Sequence, residues 1–173
     1  MKYSRLMQLR HNNIVDRVKN AALYKDRFNI LYENQVVPNC GGKRPDLVLA
    51  RGDKAYIIDV TIPFENQKDS FRAARQRKID AYKNVEQELR KTYKSVETNA
   101  IIVGSLGSWD TLNNPVLQLF ASRRYIKKMA KLCVSDTIRT SRNIYVEHLT
   151  GKPQQIIFIG QYTLIFCYRI VTG

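Results

Sequence analysis

The chain has 173 residues, 44% of them hydrophobic and 25% charged, a balance typical of one globular domain with a sizeable core. A formal net charge of +14, from 29 Lys and Arg against 15 Asp and Glu, indicates a polyanionic partner, with nucleic acid first. The basic residues are spread along the chain and no signal peptide is evident, which disfavours a membrane surface. Three widely spaced cysteines without a CxxC pair disfavour a disulfide framework or a complete zinc site, and indicate a reducing compartment: Cys40, Cys133 and Cys167.

The first predicted element is a helix in residues 1–25. Apolar residues recur there at helical spacing, namely Ile14, Val18 and Ala21 or Ala22. Asn12 or Asn13 is a candidate N-cap. The spacing predicts a helix of about four turns.

A strand and a hairpin are predicted next. Residues 28–39 favour a strand that ends before Pro38. Two apolar, β-branched runs follow within residues 44–66, and they are separated by the turn residues 51–54. This arrangement is typical of a β-hairpin.

Helices dominate the predicted second half. No Gly or Pro occurs from Gln67 to about Tyr93, so we expect the longest helix there. A buried-type strand over residues 100–103 leads into the glycine-containing turn GSLGSW, whose serines and tryptophan we interpret as turn and packing residues rather than DNA contacts. A second, basic helical region should follow Pro115 and run to about Ser141.

Two aspartates of the hairpin are predicted to face each other. A turn at 51–54 pairs Ala50 with Ala55, and counting outward sets Asp46 opposite Asp59. Opposed side chains have Cβ atoms about 4.5 to 5.5 Å apart, where like charges destabilise a sheet. Mg²⁺ or Mn²⁺ would turn this repulsion into ligation. The alternative is that Asp46 is a turn residue after Pro45 and that Asp59 is a solvated strand residue. This alternative is disfavoured for Asp59, because an unpaired carboxylate in the apolar run AYIIDVTI is costly to bury.

The predicted long helix supplies a third group. Residues at alternating steps of three and four share one of its faces: Phe71, Arg75, Lys78, Tyr82, Val85 and Leu89. Lys78 lies at the centre of this face, where its ammonium needs an anionic partner. Beside the aspartates it could hold an attacking water and stabilise charge on a phosphate. The alternative is a lysine that snorkels along the edge of the stripe, with Tyr82 a core tyrosine.

Several basic residues are candidates for contact with nucleic-acid phosphates. Arg75 lies at the end of the stripe and Lys83 follows Tyr82, while five more lie in the second basic helical region. The full set is Arg75, Lys83, Arg123, Arg124, Lys127, Lys128 and Lys131.

Four segments, RPDLV, IIDVTIPFEN, FRAARQRKIDAY and IIVGSLGSWD, occur in this order after a leading RHNN. Together they resemble the restriction-like endonuclease domain, of the PD-(D/E)xK type, in the polyproteins of site-specific non-LTR retrotransposons. The resemblance covers roughly residues 10–148. It implies an α/β fold with a restriction-endonuclease-like core, in which helices flank a mixed central β-sheet. It also implies a nucleus-located, Mg²⁺- or Mn²⁺-dependent DNA endonuclease whose nick leaves a 3′-hydroxyl that primes reverse transcription.

Carried onto this sequence, the resemblance implies Asp46 and Asp59 as metal ligands, Lys78 as the catalytic lysine on the helix, and Tyr82 as its companion. Ordinary PD-(D/E)xK nucleases place the lysine two residues after the second acid, where this chain has Thr61. The family resembled moves that lysine to the helix. A second lysine often found just before the tyrosine is absent here, so a two-lysine site is not expected.

The resemblance also divides the chain. Residues 1–25 correspond to a helix that follows a zinc knuckle, but the knuckle cysteines are missing, so His11 is not assigned as a zinc ligand. Residues 26–150 correspond to the endonuclease domain, and 151–173 form an apolar tail in which a hairpin or an edge strand is preferred to a membrane span. The reverse transcriptase and zinc knuckle that normally precede the domain are not in this sequence, so a fragment of a larger element protein is expected.

Two functions from different classes are open at this point. The first is an active endonuclease with DNA as its partner, the element's RNA as a further partner through upstream domains, and no membrane or small-molecule cofactor. The second is a non-catalytic nucleic-acid-binding fragment of a degenerate retroelement. The aspartates and Lys78 favour the first, whereas the missing upstream domains argue against efficient activity in isolation.

Overall fold

A mixed four-stranded sheet lies at the centre of the fold. The computed structural model describes residues 4–24, 27–67 and 69–153. Along the chain, the elements are α1 (Ser4–Leu23), β1 (Asn29–Glu33), β2 (Leu47–Arg51), β3 (Lys54–Thr61), α2 (Ser70–Ala81), α3 (Lys83–Leu89), β4 (Ser95–Ile102), α4 (Asn113–Leu117) and α5 (Arg123–Thr150).

The strands lie in chain order, β1-β2-β3-β4. Strand β2 pairs antiparallel with both β1 and β3, whereas β4 pairs parallel to β3 after a crossover through α2 and α3. A mixed sheet flanked by helices confirms the predicted α/β fold class. That its core is specifically of the restriction-endonuclease type stays a prediction.

The β2–β3 hairpin has the predicted register. Ala50 pairs with Ala55. Gly52 in the turn has a φ of 59°, a left-handed conformation that glycine adopts without steric cost. The same register, continued along the strands, brings Asp46 and Asp59 just beyond the last pair of the ladder.

Helices cover both faces of the sheet. One face packs against α1, α4 and α5, in a core that includes Ile14, Val18, Leu49, Ile58, Val60, Ile101, Leu117, Ile126, Met129 and Cys133. The other packs against α2 and α3, through Val48, Ile57, Ala74, Tyr82, Val85, Leu89, Val96, Ala100 and Ile102. Strands buried on both faces appear in sequence as continuous apolar runs, which explains YII and AIIV. Helix α1 is part of the larger core.

The single long helix predicted from Gln67 to Tyr93 is wrong. The segment forms two helices that meet at Tyr82, whose φ of −108° and ψ of 12° leave the helical region. No local signal marks this break. The Tyr82 hydroxyl donates to Asp59 and lies 3.2 Å from the Arg44 carbonyl oxygen, so contacts with the hairpin and the segment before it accompany the change of direction.

The longest helix of the described residues is instead α5, with 28 residues. It continues past the predicted end at Ser141 and stops at Gly151, which caps it with a φ of 67°. The Ser122 hydroxyl caps its start by accepting a hydrogen bond from the Tyr125 backbone N–H.

The predicted N-cap of α1 is also wrong, because Asn12 and Asn13 lie inside a 20-residue helix that begins at Ser4. Packing against α5 accounts for the longer helix. Leu6 is buried there, and Arg10 donates to the Ser141 hydroxyl at 2.7 Å. The spacing of apolar residues within α1 does not indicate that α5 packs against it.

Two strand boundaries differ from prediction as well. β1 is confined to residues 29–33, because Asn34 turns the chain with a φ of 47°. β4 begins at Ser95, five residues before the predicted start at 100, since its whole length pairs with β3.

The tail predicted as a hairpin or an edge strand, residues 154–173, lies outside the described residues, as does Cys167. Among the described helices, none is both long and apolar enough to span a bilayer. Cys40 and Cys133 are both buried and unpaired.

Candidate active site

Asp59 lies at the centre of the predicted site, near the end of β3, with 2% of its surface exposed. The Tyr82 hydroxyl donates to its Oδ1 at 2.6 Å. The Lys78 ammonium lies 2.6 Å from its Oδ2. Three of the four residues predicted to be catalytic are therefore in direct contact.

Two of the side chains that contact Asp59 come from the region of the helix break. Lys78 lies in the last turn of α2, and Tyr82 is the residue between α2 and α3. Both side chains are directed toward the sheet, where they contact Asp59. The Lys78 side chain is 34% exposed, so it connects a buried carboxylate with solvent.

Asp46 completes the set from the residue before β2. Its Oδ2 accepts a hydrogen bond from the Val60 backbone N–H at 2.7 Å. Because Val60 follows Asp59, this bond fixes the Asp46 carboxylate beside the second aspartate. The two carboxylates are close enough for the charge on Asp46 to act on the pKa of Asp59.

The surroundings of Asp59 and Tyr82 raise the pKa of both side chains. Burial, followed by the negative charge of Asp46, raises the pKa of Asp59, while Lys78 and Tyr82 oppose that rise. Burial and the hydrogen bond to Asp59 raise the pKa of Tyr82 above its ordinary value. The phenol therefore remains a hydrogen-bond donor at neutral pH.

The donor set fits a hard divalent cation. Asp59 Oδ2 is buried and has the Lys78 ammonium as an ion-pair partner, but no hydrogen bond of acceptable geometry among the described residues. The same part of the chain contains no group of three or more His, Cys, Asp and Glu side chains that could hold a metal. Mg²⁺ needs only one or two protein carboxylates when waters and phosphate oxygens complete its shell, so Asp46 and Asp59 could hold it without a third protein ligand.

Sequence reasoning missed one member of the site, His11 on α1. Its Nε2 lies 3.1 Å from Asp46 Oδ2 and 3.2 Å from the Val60 carbonyl oxygen. The hydrogen bond to Asp46 raises the pKa of His11, and burial opposes the rise. A signal was available, because His11 falls three residues before Ile14 and seven before Val18, on the buried stripe of the helix.

Arg75, predicted as a phosphate contact, points into the fold. Its side chain is 15% exposed, and its guanidinium donates to the Ala100 carbonyl, to Asp110 and to Asn113. These contacts give Arg75 a structural role between α2, β4 and α4. Its contact with nucleic acid stays a prediction.

The remaining basic candidates lie on the surface. Five are exposed in the first turns of α5: Arg123, Arg124, Lys127, Lys128 and Lys131. Lys83 is exposed at the start of α3 and forms an ion pair of 2.6 Å with Asp80. Within the described part of the chain, no contact joins these basic residues to Asp46 or Asp59. They could act together with the two aspartates only through a ligand long enough to contact both groups.

The GSLGSW turn follows β4. The Glu65 carboxylate accepts hydrogen bonds from the backbone N–H groups of Leu106 and Ser108, and Trp109 Nε1 donates to Asn114 at 3.1 Å. The turn and its half-buried tryptophan therefore have partners within the fold, as the structural interpretation predicts.

Fold and site together define an α/β protein in which two aspartates, a lysine and a tyrosine meet at one end of a mixed sheet. The sequence is similar to the retrovirus-related Pol polyprotein from type-1 retrotransposable element R2 of Popillia japonica, with 28% identity over 105 residues. The aligned region covers 58% of this chain and 21% of that polyprotein. No protein-family model matches the chain.

Proposed function

We propose that this chain is a metal-dependent DNA endonuclease domain of a non-LTR retrotransposon protein. The observation that carries the proposal is the contact of Lys78 and Tyr82 with Asp59, each at 2.6 Å, beside Asp46. The similarity to the R2 polyprotein supports a retrotransposon origin. The nuclease activity itself rests on the site's geometry and on the resemblance of its motifs.

In the proposed reaction, Asp46 and Asp59 would hold Mg²⁺ or Mn²⁺, which would supply Lewis-acid chemistry for phosphodiester hydrolysis. The Lys78 ammonium lies against Asp59 on a side chain that is 34% exposed, so it can also donate to the attacking water or to a non-bridging phosphate oxygen. Tyr82, protonated at neutral pH, orients Asp59. In-line attack on a DNA phosphodiester would leave a 5′-phosphate and the 3′-hydroxyl that primes reverse transcription.

The basic residues would hold the DNA backbone. The exposed first turns of α5 offer five cations, and the chain's net charge of +14 favours binding of a polyanion. We expect the protein to act in the nucleus, where its target DNA would lie. Contact with the element's RNA would require the upstream domains.

Plasmid nicking in Mg²⁺ or Mn²⁺ tests the proposal. The wild-type chain should nick, chelation by EDTA should abolish nicking, and Asp59→Ala should lose it. Asp53→Ala is the matched control, because Asp53 lies exposed in the turn of the same hairpin and its carboxylate pairs with Lys94 at 3.2 Å, away from the candidate site. Equal nicking by wild type and Asp59→Ala would sink the assignment.

The second candidate, a non-catalytic nucleic-acid-binding fragment, is favoured by one observation, the exposed basic start of α5. It requires salt-sensitive DNA binding without metal-dependent cleavage. Binding by both wild type and Asp59→Ala, with no nicking by either in Mg²⁺ or Mn²⁺, would favour it over the endonuclease.

A further inference from the structure

His11 contacts the candidate metal site, although the sequence motifs do not assign it to that site. Its Nε2 lies between two oxygens, Asp46 Oδ2 at 3.1 Å and the Val60 carbonyl at 3.2 Å. Both atoms are hydrogen-bond acceptors, so the proton belongs on Nε2, which donates to the pair. The imidazole therefore joins α1 to Asp46 and to the residue that follows Asp59 in β3.

We propose that His11 is a positioning residue for the Asp46 carboxylate, an inference that rests on the proposed nuclease function. Asp46 Oδ2 receives two donors, the Val60 N–H at 2.7 Å and His11 Nε2. Two donors on one oxygen fix the plane of the carboxylate and leave Oδ1 as its oxygen for ligation. Hydrogen bonds that orient a ligating carboxylate in this way typically change metal affinity by about 10–100-fold when removed.

Packing does not by itself account for a histidine at this position. The next residues on the same stripe of α1 are apolar and buried, with Ile14 at 1% and Val18 at 0% exposure. The His11 side chain is 30% exposed, so it contributes less apolar burial than they do. The feature that distinguishes it from them is the hydrogen bond to Asp46.

A pair of variants separates the hydrogen bond from the bulk of the side chain. His11→Gln keeps an N–H donor of similar reach, and His11→Leu keeps the bulk without a donor. The matched control is His148→Leu, at the chain's other histidine, which lies exposed near the end of α5. Calorimetric titration with Mn²⁺ measures metal affinity, nicking against Mn²⁺ concentration gives the half-maximal concentration and the saturating rate, and thermal unfolding verifies the fold.

His11→Leu should weaken Mn²⁺ binding about 10–100-fold and raise the half-maximal Mn²⁺ concentration by a similar factor, with a much smaller change in the rate at saturating metal. His11→Gln should recover most of the affinity, and His148→Leu should match wild type. If wild type nicks, Asp59→Ala does not, and His11→Leu binds Mn²⁺ as tightly as wild type, this inference fails alone. If wild type neither binds Mn²⁺ nor nicks, the proposed function fails and the inference fails with it.

Discussion

The ion pair between Lys78 and Asp59 bears both on the stability of the fold and on the proposed nuclease reaction. Asp59 is 2% exposed, so the ammonium 2.6 Å away offsets the cost of a buried carboxylate. Breaking a fully buried pair from one side typically costs about 3–5 kcal/mol. Because the Lys78 side chain is 34% exposed, water can hydrate Asp59 after the ammonium is removed. The loss of stability on replacing Lys78 should therefore fall below that range.

Lys78→Ala should lower the nicking rate about 10²–10³-fold, the usual effect of removing one donor that stabilises transition-state charge. Single-turnover nicking and urea unfolding measure the two effects separately. Lys91→Ala is the control, since Lys91 is an exposed lysine with its own ion pair, to Glu88 at 2.6 Å. A Lys78→Ala variant that nicks at the rate of the control would contradict the catalytic role of Lys78.

The pKa of Asp59 gives the site a pH dependence of definite sign. Folding raises this pKa, so the native state favours the protonated form. Its contribution to the free energy of unfolding is present below the ordinary aspartate pKa and is lost as the pH rises through the folded value. Metal ligation requires the opposite form, so nicking should fall as the pH drops through that raised pKa.

Tyr82→Phe tests this assignment. The hydrogen bond from Tyr82 lowers the pKa of Asp59, so its removal should raise that pKa further and move the acidic limb of the pH–rate profile to higher pH. The ring that packs in the core is retained. The profile of kcat/KM for nicking is the measurement, and an acidic limb that stays in place or moves to lower pH would rule out Asp59 as the titrating group.

At the scale of elements, α5 depends on the residue that caps its start. The Ser122 hydroxyl accepts from the Tyr125 N–H at 3.3 Å, which satisfies one of the free donors at the helix start. Ser122→Ala should cost about 0.5–2 kcal/mol of unfolding free energy in urea titration, and Ser122→Asp should restore it. Equal stability of the alanine and aspartate variants would mean that the cap contributes nothing.

Local signals account for the elements that the sequence predicted well. The turn chemistry at Gly52 and the apolar runs beside it fix the hairpin register, which is why the sequence alone aligns Asp46 with Asp59. The break at Tyr82 could not be predicted, because it coincides with tertiary contacts to Asp59 and the Arg44 carbonyl rather than with a glycine or proline. The end of α5 does have a local signal in Gly151, so its true end was predictable from the sequence.

The residues of the site likewise divide into those with a local sequence signal and those placed by tertiary contacts. Lys78 and Tyr82 were accessible from the sequence because a spacing of four in a helical segment predicts that they share a face, and both contact Asp59 although the helix breaks at Tyr82. His11 was not assigned to the site, because its contact with Asp46 depends on where α1 crosses the end of the sheet, 35 residues away in sequence. Arg75 shared the stripe of Lys78, yet its partners Asp110 and Asn113 come from a loop and helix whose positions no local pattern gives.

At the scale of the whole molecule, the excess of positive charge indicates a polyanionic partner. A net charge of +14 attracts any polyanion, but only cations that contact phosphates release counterions on binding. The exposed start of α5 provides a compact group of such cations. The start of β3 and the segment between α3 and β4 provide a comparison group of exposed lysines, Lys54, Lys91 and Lys94.

Replacing Lys127, Lys128 and Lys131 together by alanine should therefore weaken DNA binding and reduce the dependence of log K on log salt by about 2 to 3 units, at roughly 0.9 per phosphate contact. The triple alanine variant at Lys54, Lys91 and Lys94 removes the same charge and should leave the slope close to wild type. Fluorescence anisotropy of a labelled duplex between low and moderate salt measures both slopes. Equal reductions in the two triple variants would mean that the DNA responds to net charge alone, and that α5 forms no defined phosphate-binding surface.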